Sequence, residues 1–304
     1  SKGLPKAHLV ISEGTTFNIS ASEIKVGAIS GKGVLGNQSK KFVITGYGED
    51  TEFSGTFGTS VGIDKNGTDK LTLTKENGSM GIVSLNEGTI ELNPEANNNS
   101  KSMLGARAMT VKGTLSGCGG LNNSSVTFTE GAILNPISPN KSKTFWTLNF
   151  NHDLTMQPGS QFLSKFYDKK RYGSIAVEGT LAIEGEVTVT LNGYKPAIGD
   201  EFTLWTASQA AAVPRLNLPE LPEGLCWIVS DVTPTEGKIS ISDTDAVVEI
   251  EGDMTADCKI FSIDGTPLRS FTSTVNEAIG TLRSLNHGVY IPVSYTHLRA
   301  HETL

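Results

Sequence analysis

Strict alternation of apolar residues with Thr or charged residues, in short runs broken by glycine, narrows the folds open to this chain. Leu71-Thr72-Leu73-Thr74, Val126-Thr127-Phe128-Thr129 and Glu186-Val187-Thr188-Val189-Thr190-Leu191 all follow it. In a strand, such a pattern gives one apolar face and one polar face. Thr is itself a good strand former. Almost nothing carries the helical period. The best helix candidate is Ala207 to Val213, bounded by Pro214.

A second pattern lies over the first. Gly, then a small or polar residue, then an aliphatic recurs as Gly88-Thr89-Ile90, Gly113-Thr114-Leu115, Gly131-Ala132-Ile133, Gly159-Ser160-Gln161-Phe162 and Gly179-Thr180-Leu181. The spacing of these glycines is uneven but stays in the range of one solenoid repeat. Short strands at that period, joined by Gly, Asn and Ser turns, predict the coils of a solenoid. Each coil buries its inward aliphatics on the coils above and below, and glycine supplies the corners. Hairpins in a β-sandwich are the alternative. Asn66-Gly67 and Asn77-Gly78 are the two dipeptides suited to hairpin turns. The expected fold is all-β, a right-handed parallel β-helix over residues 1–243. At this period it comprises on the order of ten coils and ~50 Å of length.

Composition excludes several functions. The 304 residues carry a formal charge of −7, and no Lys/Arg patch interleaves with aromatics. A nucleic-acid partner is therefore not expected, because phosphate binding needs a basic footprint. Lys169-Lys170-Arg171 reads as a solvated loop. Gly accounts for 33 residues, while hydrophobic residues make up 37% and charged residues 19%. Cys118, Cys226 and Cys258 have neither zinc-ligand spacing nor the spacing of a disulfide framework, and read as small buried hydrophobes. No apolar stretch is long enough for a transmembrane segment. Ser1 opens in polar, strand-like sequence without an initiator Met, which reads as an internal cut.

The stretch Asp64 to Asn93, DKNGTDKLTLTKENGSMGIVSLNEGTIELN, resembles the autotransporter-associated β-strand repeat, also called the passenger-associated transport repeat. Lys65, Leu71, Leu73, Asn77, Gly81, Val83, Gly88, Thr89, Ile90 and Leu92 carry the likeness. Gly67-Thr68-Asp69 departs from it, since two glycines are usual there. MTVKGTLSGCGGLNNSSVTFTEGAILNPIS is similar to a later phrase of the family through Gly113, Leu115, Gly117, Gly119, Leu121, Gly131, Ala132, Leu134 and Pro136, with Ile137 in place of a final Gly. Ile29 to Phe57 resembles the preceding part of the unit, and Asp200 to Ser242 its closing segment. The resemblance covers about residues 20–243 and implies a solenoid scaffold. It says little of function, because the repeat is a framework.

Composition shifts after Ser242. Lys259 to Gly265 reads as a strand running into an Asp-Gly turn, and Leu285 to Ile291 as a Gly-marked turn into another strand. Together they resemble the C-terminal sorting domain of the type IX secretion system of Bacteroidetes, without its last strand. That likeness implies a small truncated β-sandwich over residues 244–291 and the type IX machinery as a partner. Residues 292–304, ending VSYTHLRAHETL, do not extend the strand pattern and read as a sequencing-derived tail. His297 and His301, at i and i+4, lack a third ligand for a metal.

Candidate chemistry is sparse. Glu184 and Glu186 are two positions apart and would share a strand face, the nearest approach to the paired acids of a glycoside hydrolase; they read as a solvated outer face. Asp50, Glu52 and Asp153 are scattered. His152 and Asp153 are sequence neighbours, and in a strand they would point to opposite faces. Trp146, Tyr167, Tyr172, Trp205 and Trp227 could stack on sugars, although Trp205, after Phe202 and Leu204, reads as core. No catalytic, cofactor-binding or metal residues are assigned and no cofactor is expected. The expectation is a non-catalytic, secreted or surface-displayed, adhesin-like stalk, with a glycan or a host or cell-surface ligand as partner. The alternative is an accessory C-terminal region of a larger secreted polysaccharide lyase or glycoside hydrolase.

Overall fold

The computed structural model describes residues 2–18, 20–36, 40–78, 80–95, 103–123, 125–139, 146–243, 255–262, 267–274 and 290–295, the last three segments as backbone. The chain divides into two compact units, Ser1–Thr244 and Asp245–Leu304. The first is all-β, with no helix among its described residues. Among the described residues its main sheet has 22 strands, and all their pairings are parallel except two among the last strands.

Parallel partners are never consecutive strands. Gly62–Lys65 pairs with Lys41–Ile44 on one side and Met80–Leu85 on the other. The next strand in sequence, Lys70–Leu73, pairs with Thr51–Phe53 and Thr89–Leu92. Asn66-Gly67 therefore turns the chain from one line of strands to another instead of closing a hairpin, and Gly67 sits at φ 79°. Asn77-Gly78 likewise joins Lys70–Leu73 to Met80–Leu85, which do not pair with each other. The length of chain between paired residues varies, from a short stretch between Met109 and Val126 to a long one between Ile175 and Trp205.

This register turns the alternation into a core. Ile90, Leu115, Leu134, Phe162 and Val187 face one another in successive pairings. Each is at most 1% exposed. Burying side chains of this size contributes about 1.5–3 kcal/mol apiece. The first four glycine phrases thus stack in order. The fifth does not: Leu181 pairs with Leu154 in another line of strands, and Glu184-Gly185-Glu186-Val187 takes its place. A second inward column runs Ile44, Lys65, Leu85, Val111, Phe128, Met156. Lys65 interrupts it with a charged residue.

The expected helix over Ala207 to Val213 is absent. Ala207 and Ala210 belong to the strand Glu201–Ala210 and pair with Val177 and Leu181. Both pack against the core. That contact and the backbone pairing outweigh the modest helical preference of alanine.

The end of the sheet is built differently. Glu236–Asp243 runs antiparallel to the first half of Glu201–Ala210, and Leu225–Ile228 runs antiparallel to Glu236–Asp243. Trp205 is fully buried there, its Nε1 donating to Pro234 O at 3.0 Å. Phe166 and Phe202 meet at 4.2 Å between ring centroids, with Tyr172, Tyr194 and Trp227 around them.

In the second unit Thr255–Ser262 is flanked by Pro267–Thr274 and Tyr290–Tyr295, both antiparallel to it. The last strand continues past Ile291, where the alternation ended: Val293, Ser294 and Tyr295 pair with Lys259, Cys258 and Asp257. Ladder pairing is made by backbone groups, and Val and Tyr are good strand formers. Asp264-Gly265, Leu285 to Gly288, and His297 with His301 lie outside the described residues.

Candidate functional site

The carboxylates that the sequence leaves scattered have specific work in the first unit. Asp50 Oδ1 accepts from Lys70 N at 2.8 Å, and Asp153 Oδ1 from Thr180 N at 2.7 Å. Asp69 Oδ2 accepts from Tyr47 N at 2.5 Å and Gly48 N at 2.8 Å, and Glu87 Oε2 from Gly67 N at 3.1 Å. Each reaches a backbone N–H 20 to 27 positions away in sequence that would otherwise go unmet. The two donors hold the Asp69 carboxyl below the usual carboxylate range. Glu52 accepts instead from the Ser54 hydroxyl at 2.9 Å. His152 is exposed in a bend just before the strand Asp153–Met156, so the opposite-face geometry of a strand does not apply to it.

Lys65 lies within the field of three of these carboxylates, and among the described residues it bonds only backbone carbonyls. Its stem fills one rung of the aliphatic column, and its Nζ donates to Asn66 O at 3.1 Å, Gly67 O at 2.6 Å and Glu87 O at 3.5 Å. Burial pulls the ammonium below its ordinary value of 10.5, against Asp69, Glu87 and Asp50, which favour the charge. Between the lowered value and 10.5 the unfolded chain binds more protons than the folded one, so this group makes stability rise with pH across that window. Lys65→Met keeps the column filled and removes the titration. Urea unfolding at a series of pH values should therefore show the wild type gaining on K65M as pH climbs toward 10.5. A gap that stays constant would contradict this placement of the ammonium.

The Lys169-Lys170-Arg171 run is a bend with both lysines exposed, as expected of a solvated loop, and its shape is held by specific bonds. Asp168 Oδ1 accepts from Lys170 N at 2.8 Å and Arg171 N at 2.7 Å, and Arg171 Nε meets Asp168 Oδ2 at 2.5 Å. Lys169 pairs with Asp200, which is 1% exposed and also accepts from the Tyr194 hydroxyl and from Ala197 N. Burial alone would push the Asp200 carboxyl up, but these donors hold it below its ordinary value. Burial and Asp200 together push the Tyr194 hydroxyl up.

The aromatic candidates for sugar stacking are engaged in packing. Trp205 is core, Trp146 is buried against Tyr167 at 5.3 Å, and Tyr172 packs on Phe166 at 5.3 Å. Trp227 is half-buried, its Nε1 donating to Pro219 O at 2.8 Å. Cys118 is buried in the core and Cys226 is half-buried; the side chain of Cys258 lies outside the described residues. Among the described residues no group of three or more His, Cys, Asp or Glu is placed to hold a metal ion, and no helix is long and apolar enough to cross a membrane.

The strand starts along one line enclose a concavity. This shallow trough of about 480 Å³ is lined by Gly131, Ala132 and Ile133, by Gly159, Ser160 and Gln161, by Glu184, Gly185 and Glu186, and by Arg215. Four successive strands contribute to it, so the stacked glycine phrases form its floor. Glu184 is exposed in the link before the strand Glu186–Leu191, and Glu186 opens that strand. Arg215 Nε stands 3.9 Å from Glu186 Oε1, and Gln161 Nε2 donates to Thr188 Oγ1 at 2.9 Å. Sequence reasoning paired the two glutamates but missed Gln161 and Arg215. Aligning Val187, instead of Leu181, with Phe162 would have revealed the first, since that register sets Gln161 beside Glu186. Arg215 is brought in only by its ladder pairing with Glu186, across a long intervening coil.

No family model matches this chain, and no curated protein matches it.

Proposed function

We propose that the first unit is a parallel β-helix acting as a non-catalytic, adhesin-like scaffold of a bacterial surface or secreted protein. The observation that carries this reading is the use made of the corner carboxylates. Asp50, Asp69, Glu87 and Asp153 accept backbone N–H groups from neighbouring coils, so they tie the stack together and do not converge on one reacting centre. The parallel register, kept from coil to coil despite their unequal lengths, supports the solenoid itself. A solenoid grows by one strand spacing, about 4.8 Å, per coil, which suits it to hold something at a distance. The likeness of residues 244–291 to a type IX sorting domain adds export to the cell surface, with that domain engaging the secretion machinery.

The test is turnover. The full chain, incubated with neutral and acidic polysaccharides, is expected to release neither new reducing ends nor unsaturated products above the buffer blank. Turnover that disappears in Glu184→Gln or Glu186→Gln would overturn the scaffold reading and favour a carbohydrate-active enzyme.

A further inference from the structure

We propose that the trough at the start of the stacked strands is a binding site for a neutral, extended oligosaccharide. Its place in the fold gives it the right form. It crosses four rungs, and rungs repeat every ~4.8 Å along the stack. The floor is glycine and other small residues, and beside Gly131 there is nothing within 4 Å of where a Cβ would stand. A linear ligand can therefore lie close over that rung, while at the next the Glu130 side chain stands 2.8 Å from where a Cβ of Gly159 would be.

The walls choose the ligand chemistry. Glu184 and Glu186 accept hydrogen bonds only, the Arg215 guanidinium donates only, and the Gln161 amide does both. Arg215 is 69% exposed, and its approach to Glu186, at 3.9 Å, is too long for a hydrogen bond that would use up its donors. A hydroxyl both donates and accepts, so a neutral chain of sugar rings can satisfy carboxylates and guanidinium together. Ile133, half-buried at the edge, offers a small apolar surface for the C–H face of a ring. A polyanion would meet two carboxylates against one cation. A large apolar ligand would leave all four polar walls unpaired, which is costly. The inference rests on the scaffold reading only in treating the bound sugar as a ligand and not a substrate.

The experiment is calorimetric titration of the full chain with neutral hexasaccharides of glucose, mannose and galactose, and with an acidic hexauronate. At least one neutral hexamer is expected to bind, roughly tenfold or more tightly than the hexauronate. Arg215→Ala and Glu184→Ala, both at solvent-exposed side chains, should each weaken that binding roughly tenfold while leaving the circular dichroism spectrum and unfolding midpoint unchanged. The proposal is overturned if no neutral hexamer binds at millimolar concentration, if the hexauronate binds more tightly, or if folded Arg215→Ala and Glu184→Ala bind like the wild type. Binding followed by cleavage would leave the site standing and bring down the scaffold reading.

Discussion

Gly117→Ala is expected to destabilise the protein by about 3 kcal/mol or more, enough to unfold a marginal domain. Gly117 ends the strand Thr114–Gly117 at φ 107°, where a side chain is strained in any surroundings. A Cβ there would also stand 2.0 Å from the carbonyl oxygen of Leu92 on the neighbouring strand. That oxygen is not free to move aside. It accepts from Cys118 N at 3.0 Å, and Leu92 and Pro136 pair with Gly117 on either side. Gly131→Ala is the control, because it shares the positive φ, at 77°, but has open space around the added methyl. It should cost only about 1–2 kcal/mol. Denaturant unfolding of both variants measures the difference. Equal losses would show that the close passage of Gly117 over Leu92 contributes nothing.

Gly237→Ala is expected to cost about 1–3 kcal/mol, from the closing end of the sheet. A Cβ at Gly237 would fall 2.2 Å from Cε3 and 2.3 Å from Cδ2 of Trp205. The indole cannot swing away, since it is fully buried and its N–H is held by Pro234. The strand Glu236–Asp243 would have to lift instead, uncovering the edge of Glu201–Ala210. An uncovered edge is a template for pairing with another chain, so concentration-dependent association should accompany the loss. Trp205→Leu removes the obstacle at its own cost in packing. In a double-mutant cycle the two changes should therefore couple by about 1 kcal/mol or more. Strict additivity would mean that the glycine is not there to admit the indole.

Much of this organisation was legible because it depends on local periodicity. Alternation places Val126 and Phe128 on the buried face with Thr127 half-buried between them, as found, whereas in Leu71-Thr72-Leu73-Thr74 all four residues are buried. Four glycine phrases stack in the order they occur, although Gly88 and Gly113 stand two positions before the inward aliphatic and Gly131 and Gly159 three, so that Leu134 and not Ile133 faces inward. Gly179 satisfies the same phrase, yet the phrase does not say which line of strands it belongs to. Only the pairing of Leu181 with Leu154 decides that. Lys65 matched a repeat motif by letter alone. Its burial follows from replacing an aliphatic between Ile44 and Leu85 while its Nζ finds three carbonyls at a corner. The alternation of Val126 or Leu71 contains no information about such corners. The same holds for Asp50 and Asp153, whose partners are fixed by how the chain turns. Arg215, too, reaches the trough only after a full coil that begins at Glu186. The helix over Ala207 to Val213 failed because a run of small residues states a preference that neighbouring strands override.

The parallel coil itself is tested most directly by deletions cut to its register. Ile63 pairs with Val83 on the next coil, and Leu71 with Ile90. Removing positions 63–82 should therefore take out one whole coil, seating Val83 where Ile63 was and Ile90 where Leu71 was. Removing only positions 63–73 should instead seat Thr74 where Ile63 was and Glu76 where Lys65 was, putting polar side chains into the inward places. The longer deletion is expected to keep a β-type circular dichroism spectrum and one cooperative unfolding transition, and the shorter to lose both. If both deletions unfold the chain, or the shorter is tolerated as well as the longer, successive coils do not stack in this register and the account is wrong.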